Sequence, residues 1–397
     1  MKNSVEAPTR LYYVDWLRVL AILGIFFFHN ARFYDIYGDW HVKNASTSFI
    51  ISIIPIGFMD QWIMPLFFLI AGASTFYALK SRRPGRYILE RASRLFIPVI
   101  FGMLVIVVPQ AYFEALSHGE QLAGYNFFQL YWLHLQDLPN LPWYHLWFLA
   151  YLFVFSIITI PIFASFKVGG TSIISKFAML NKPWVIITLL VLLLAAVDIL
   201  LYPGGSWLSW GSRVQGNWSI TAYLLFFISG YLIFANVHIM ETIKKLTWIL
   251  LGIAFIALAS FVSFFYDVLS NAEAYFGSAM FIASQFVQAV STWCLLFAIL
   301  GLGSRFLNRN TRFLPYANEA VLPFYILHQT IIISIGYYVV QWEASIGLKY
   351  LTISTTSLIA ILLIYEFLVR RINVVRFLFG MRLRKRLRMA LAIEGQT

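Results

Sequence analysis

The sequence predicts an all-α, polytopic membrane protein with about ten transmembrane helices and both termini on the cytoplasmic side. Three observations predict it. Of the 397 residues 60% are apolar and 12% charged, against about 25% charged in soluble domains. Apolar stretches of about 20 residues, the length that crosses a bilayer, recur along the whole chain. Basic residues collect in alternate connections, as the positive-inside rule requires. The 37 Phe, 22 Tyr and 13 Trp exclude a disordered chain, and the composition as a whole excludes a soluble enzyme.

The apolar stretches run over 12–31, 49–79, 95–112, 143–163, 184–202, 219–236, 246–266, 278–302, 320–341 and 349–369. In the second, Pro55 and the segment Asp60–Pro65 predict a kink or a break, since neighbouring groups can satisfy the freed backbone. With the N-terminus inside, the inner connections hold Lys2 and Arg10, six bases from Lys80 to Arg94, Lys167, Lys176, Lys182, Lys244, Lys245, Arg305, Arg309, Arg312 and eight from Arg370 onward. That is 24 of the 29 bases. The outer connections hold Arg32, Lys43, Arg213 and Lys349, and the outer segment 113–142 carries Glu114, Glu120 and Asp137 without a base. The net charge of +12 is therefore read as orientation in a membrane, with no nucleic-acid partner. The first stretch contains Asp15 and Arg18 and no small-residue cleavage site follows it, so it reads as a span and not as a signal peptide. One membrane domain, 1–370, is followed by a basic tail, 371–397, in which Val374, Val375, Phe377, Leu378 and Phe379 among the bases fit a surface helix on anionic lipid, beside the plain reading of the tail as topogenic charge.

Ionisable residues inside spans are costly and mark function by default. In the first span, eleven steps of about 100° bring Arg18 and His29 to nearly one azimuth, about 16 Å apart at roughly 1.5 Å per residue. Asp15 stands three residues before Arg18, within side-chain reach. A lipid-sheltered imidazole suits a general base acting on a hydroxyl; the plain alternative is an Asp15–Arg18 pair at the membrane edge with His29 ending the helix. Arg91 and Arg94, three apart in Arg-Ala-Ser-Arg-Leu-Phe-Ile-Pro, suit phosphate groups through their fixed charge and forked donors, beside the plain reading as topogenic charge. His145 and Trp147 open the fourth span, and His328 lies within the ninth. Asp60, Asp198 and Glu366 fall near span ends, where water reaches them. The chain has no phosphate loop, dinucleotide fingerprint, nucleophile elbow or zinc-helix motif, and no metal site is predicted. The single cysteine, Cys294, reads as a core thiol. Asn44-Ala-Ser46 fits the glycosylation tripeptide.

On Asp15-Trp-Leu-Arg18 with His29 eleven residues on, Arg91-Ala-Ser-Arg94, Phe67-Phe-Leu-Ile-Ala-Gly72, His145-Leu-Trp-Phe-Leu149 and Tyr325-Ile-Leu-His328, the chain resembles the acyltransferase 3 family of integral membrane acyltransferases. The serine usual before the glycine in that family's Phe-Phe motif is Ala71 here. Gly38-Asp-Trp40-His41-Val42 and Arg376-Phe-Leu-Phe-Gly380 resemble the members implicated in succinylating periplasmic glucans. The resemblance implies an acyl-coenzyme A donor, acetyl or succinyl, bound as substrate from the cytoplasm with no permanent cofactor, and a periplasmic or cell-surface glycan hydroxyl as acceptor. It implies His29, Arg18 and Asp15 as catalytic, Arg91 and Arg94 as donor-binding, and His145, Trp147, His328, Trp40 and His41 as acceptor-side residues, in a bacterial inner membrane. Arg32 and Arg213 are outer cations open to a succinyl carboxylate. Membrane lipid is the other expected partner, and the sequence sets no oligomeric state. The reading from another class is a secondary transporter or exporter of a lipid-linked or sugar substrate.

Overall fold

The computed structural model describes residues 10–36, 40–119, 124–137, 140–165, 183–201, 219–270 and 278–384. Among these residues every regular element is helical. In chain order they are α1 (Tyr12–Ala31), α2 (Phe49–Ser81), α3 (Pro84–Ile106), α4 (Val108–His118), α5 (Phe127–Gln136), α6 (Tyr144–Ile158), α7 (Ile160–Ser165), α8 (Pro183–Leu201), α9 (Ile220–Ala235), α10 (Val237–Ser270), α11 (Ala279–Phe306), α12 (Phe313–Val339), α13 (Ile346–Val369) and α14 (Asn373–Leu378). Seven of them, α1, α2, α8, α10, α11, α12 and α13, are long and apolar enough to cross a membrane, and the pair α3–α4 joins them if it counts as one bent span. The least buried spans leave apolar rows outside, such as Leu189, Leu192 and Leu193 on α8 and Ile249, Ile253 and Ile256 on α10. Such surface is stable only against lipid. The protein is a multi-pass membrane protein.

Prolines accompany the irregular turns of α2 and α3. Pro55 lacks an amide hydrogen, and around it the ladder widens to a π turn, Ser52–Gly57, before the break at Gln61–Trp62. Of the expected kink or break, the break is present. In α3, π turns at Ala92–Phe96 and Gly102–Ile106 precede Pro98 and Pro109, and α3 meets α4 at 44°. Here the expected boundaries shift: the third helix starts at Pro84, well before 95, and the segment 113–142, expected as an outer connection, carries the end of α4 and all of α5 among its described residues. Lys244 and Lys245 likewise stand within α10 and not in a loop.

The described residues of Met1–Ala21, Met64–Phe76 and Phe166–Asn318 form one compact unit. Its closest helix contact is made by glycines. A Cβ on Gly72 of α2 would strike the Phe227 carbonyl of α9, and one on Gly230 of α9 would strike the Leu69 carbonyl. Two backbones approach through reciprocal glycines, the device that membrane helices use in place of a hydrophobic driving force. Asp198 of α8 is buried in this unit, 3% exposed, so the expectation that water reaches it fails. Cys294 is a buried free thiol, as read.

The second unit comprises the described residues of Ile22–Ile63, Tyr77–Ser165 and Glu319–Thr397. Its C-terminal strap is held by protein contacts. Arg376 is 5% exposed and donates to Glu319 (2.7 Å) and to the carbonyls of Arg370 and Arg382. Gly380 turns with φ +67°, where a Cβ would meet the Arg94 carbonyl and Pro98, and Phe379 packs edge-on against Phe101. The bases Lys385, Arg386 and Arg388 lie outside the described residues.

Gly72→Val is expected to abolish recovery of monodisperse protein from detergent, while Gly85→Ala, with open space around it, leaves yield and melting temperature unchanged. A Gly72→Val protein that melts like wild type contradicts the backbone contact.

Candidate active site

In the second unit, four elements bring histidines together. The last turn of α1 holds His29, α6 opens with a tight 3-10 turn, Tyr144–Leu146, holding His145, α12 holds His328, and the segment after α1 holds Trp40 and His41. The rings of His29 and His328 lie 5.2 Å apart, and those of His328 and His145 lie 5.1 Å apart. Trp40 stacks almost parallel on His29, 6.1 Å and 7°. Three histidines that the sequence left scattered over three spans thus form one cluster. Trp147 is buried among Phe148 and Tyr151, beside the cluster's turn.

Backbone carbonyls set the state of two rings. His145 Nε2 lies 3.0 Å from the Ile326 carbonyl and His328 Nδ1 lies 2.5 Å from the Tyr325 carbonyl. A carbonyl only accepts, so each of these nitrogens carries the hydrogen. The opposite nitrogens, His145 Nδ1 and His328 Nε2, are buried without a partner, as is His29 Nδ1. His29 as a whole keeps partial exposure. Tyr325 returns a hydrogen bond from its hydroxyl to the His145 carbonyl, so α6 and α12 are tied in both directions. Tyr144, just before, has φ +43°, a conformation costing a non-glycine residue about 1–2 kcal/mol, which the tie helps to hold.

His41 stands in a second polar set that the sequence reading missed. Its Nδ1 is 3.0 Å from Glu114 Oε1, and the amides of Gln110 and Gln329 approach Nε2 at 3.1 and 2.9 Å. Gln110 and Glu114 are four apart on α4, and that spacing was the available signal. It was lost by ending the third span at 112. The segment carrying Trp40 and His41 is pinned further on. Asp35, fully buried, pairs with Arg32 (2.9 Å) and Lys43 (3.0 Å). Lys349 is buried as well and donates to Asn44 Oδ1 and the Val340 carbonyl, each at 2.8 Å. Burial pushes the Tyr34 hydroxyl above its ordinary range. These bonds give Asn44 a structural place, and Arg32, expected as an outer cation open to a succinyl carboxylate, is paired with Asp35. Arg213, Gly38 and Asp39 lie outside the described residues.

Arg18 and Asp15 stand in the first unit. Arg18 donates to Asp15 (3.3 Å), Asn318 (3.1 Å) and Ser74 (3.0 Å), and Asp15 also receives Arg10 at 2.7 Å. Arg18 is thus oriented by three side chains, on the same helix, α1, as His29. Arg91 and Arg94 lie in α3, in the second unit. The π turn begins between them, so they do not share one α-helical stripe. Arg91 lies over the Tyr87 ring (4.8 Å), and Arg94 pairs with Glu90 (3.5 Å), which Arg82 also contacts at 2.7 Å. Among the described residues no group of three or more His, Cys, Asp or Glu is placed to hold a metal ion.

Glu114→Leu is expected to free His41 and raise amide hydrogen exchange over residues 40–48, measured by mass spectrometry on the full-length protein. Unchanged exchange there shows that Glu114 does not anchor the segment.

A family model described as an acyltransferase domain matches residues 11–366. The glucans biosynthesis protein C of Salmonella heidelberg (strain SL476) is 27% identical over 390 residues, covering 95% of this chain and 96% of that protein, and that of Salmonella schwarzengrund (strain CVM19633) gives the same figures. The homologue of Salmonella paratyphi B is 26% identical over the same span. No solved structure matches. The chain belongs to the acyltransferase 3 family and is a membrane acyltransferase, similar over nearly its whole length to proteins named for glucan biosynthesis.

Proposed function

We propose that this acyltransferase moves an acetyl or succinyl group from acyl-coenzyme A to a hydroxyl of a cell-envelope glycan in the bacterial inner membrane, with His29 as general base. The observation that carries the reading is the His29 ring itself. One edge is buried among protein groups while the side chain keeps partial exposure, as a base must if it is to be held and still reach a substrate. His29 takes the proton of the acceptor hydroxyl as its oxygen attacks the thioester carbonyl. The tetrahedral adduct collapses, the carbon–sulfur bond breaks, and the coenzyme A thiolate recovers the proton from the imidazolium. An ester and free coenzyme A result, and no redox partner is needed.

Arg18, oriented by Asp15, Asn318 and Ser74, holds the donor or stabilises charge on the adduct. Arg91 and Arg94 receive the donor's phosphates. Trp40, His41, His145, Trp147 and His328 shape the acceptor side. The glycan as acceptor is supported by the names of the relatives. Ten spans with both termini cytoplasmic remain the proposed topology. The seven long helices, the bent pair α3–α4 and the two shorter apolar helices α6 and α9 follow the ten apolar stretches in order, and the distribution of bases supports the orientation.

His29→Ala is expected to lower transfer at least about hundredfold, measured with purified protein as thiol release from acetyl- or succinyl-coenzyme A in the presence of glucose oligosaccharides. Transfer at the wild-type rate removes His29 from the chemistry. Arg91→Ala with Arg94→Ala is expected to raise the donor KM about tenfold with kcat little changed, since it removes ground-state contacts; an unchanged KM returns both arginines to topology.

A further inference from the structure

The helix that carries His145 is short. α6, Tyr144–Ile158, is about 22 Å long at roughly 1.5 Å per residue, against a bilayer core of about 30 Å. We infer that α5 and α6 are the two halves of one broken span, and that the break lines a water-filled inlet through which a hydroxyl-bearing acceptor reaches the histidine cluster from the outer side. The acceptor part of the inference rests on the proposed function; the broken span does not.

The neighbours of each half give its depth along α3 and α4. Phe127, at the start of α5, packs edge-on against Tyr112 in the second turn of α4 (5.5 Å). His134, near the end of α5, has its Nε2 3.0 Å from the Met103 carbonyl, so this nitrogen carries the hydrogen. α5 therefore runs back along the bent pair, from α4 to the last π turn of α3. Met103 stands nine residues past Arg94, about 13 Å along the helix, which is close to the midplane of the core. α6 starts at the level where α5 stops. A Cβ on Gly102, next to Met103, would strike the Leu146 side chain, and farther along Phe153 packs against Phe96 (5.2 Å). α6 thus continues inward toward the arginines of α3, and the break stands at the depth of His145.

The exposed surface changes character at the break. From Gly124 to Gln136 the chain has no Asp, Glu, Lys or Arg. The inner face of α5, Phe127, Leu130, Tyr131 and His134, is half-buried, while Phe128 and Trp132 are exposed and continue the apolar row of Phe96, Ile100 and Val105 on α3. A short helix that is apolar on both faces suits protein on one and lipid on the other. Its His134 gives a hydrogen bond to the irregular turn before Pro109, where the hydrocarbon core has no water to do so. One residue past α5 the surface turns polar. Asp137 and Asn140 are both exposed, and the Asn140 amide donates to Asp137 Oδ1 at 2.9 Å. An exposed carboxylate at this depth is stable against water and not against lipid. Irregular backbone inside a bilayer is likewise tolerated where it lines an aqueous cavity, and broken helices build midplane binding sites in that way. A hydrated acceptor then meets the cluster without crossing hydrocarbon.

Single cysteines on a Cys294→Ser background test this with the full-length protein in lipid vesicles. Bimane is attached at Phe128→Cys and Trp132→Cys and read against lipids brominated near the headgroup or near the chain ends. Shallow bromines are expected to quench the label at 128, and deep bromines the label at 132. Equal, shallow quenching at both lays α5 flat on the surface, and no quenching at either places it in water or under another protein; each result overturns the broken span. Asp137→Cys is expected to react with a charged, membrane-impermeant methanethiosulfonate, and a failure to react removes the inlet. Asn140→Cys carries the same reading should Asp137→Cys fail to fold. Blocking that cysteine is expected to raise the KM for glucose oligosaccharides about tenfold, with donor KM within about twofold. An unchanged acceptor KM removes the acceptor route and leaves the broken span standing. Failure of the proposed function shows separately, as absent transfer in the unblocked protein.

Discussion

Two helices exchange hydrogen bonds through their own backbones at the centre of the second unit: the His145 ring donates to the Ile326 carbonyl and the Tyr325 hydroxyl donates to the His145 carbonyl. In a bilayer core no water is present to serve such groups, so side chains must do it. The site depends on this exchange in several ways. It fixes the tautomer of His145, steadies the left-handed Tyr144, and sets the rotation of α12 that turns His328 toward His29 and Gln329 toward His41. A helix presenting the same residues at another rotation would bury four polar groups without partners.

The segment after α1 answers the same constraint with charge. A fully buried carboxylate, Asp35, is compensated by two cations, and Lys43 also bonds two carbonyls of the same turn. Breaking one partner of such a buried group costs about 3–5 kcal/mol, although the intact pair contributes far less than that to stability. The arrangement therefore specifies one conformation of the segment more than it strengthens the fold. That conformation places Trp40 flat against His29. Lys349, which donates to an amide oxygen and a carbonyl oxygen, anchors the same segment to α13 from the other side.

Much of this fold is legible in composition, because bilayer thickness dictates helix length: α1, α8, α11 and α13 fall within a few residues of the apolar stretches. The mismatches have one cause. An apolar-window reading ends a span at the first charge, yet Glu114 and Lys244 are tolerated inside helices that run on past them. Of the site, the ionisable residues in spans were readable because their cost singles them out. The amides were not, since Gln110 and Gln329 carry no charge and acquire meaning only when a distant loop brings His41 to them. The paired Arg32 and the buried Asn44 show the opposite error, in which a residue conspicuous in sequence is already occupied by a neighbour.

The strap at Arg376 has a bearing on how the protein is made. A ribosome completes the start of α12 long before it reaches residue 376, so Glu319 awaits a partner not yet translated. In the same way α3 gains Phe379 and Gly380 as neighbours only after α13 has been made. A nascent chain halted before that point would hold α1 to α13 and still lack the fastening of Arg376 to Glu319.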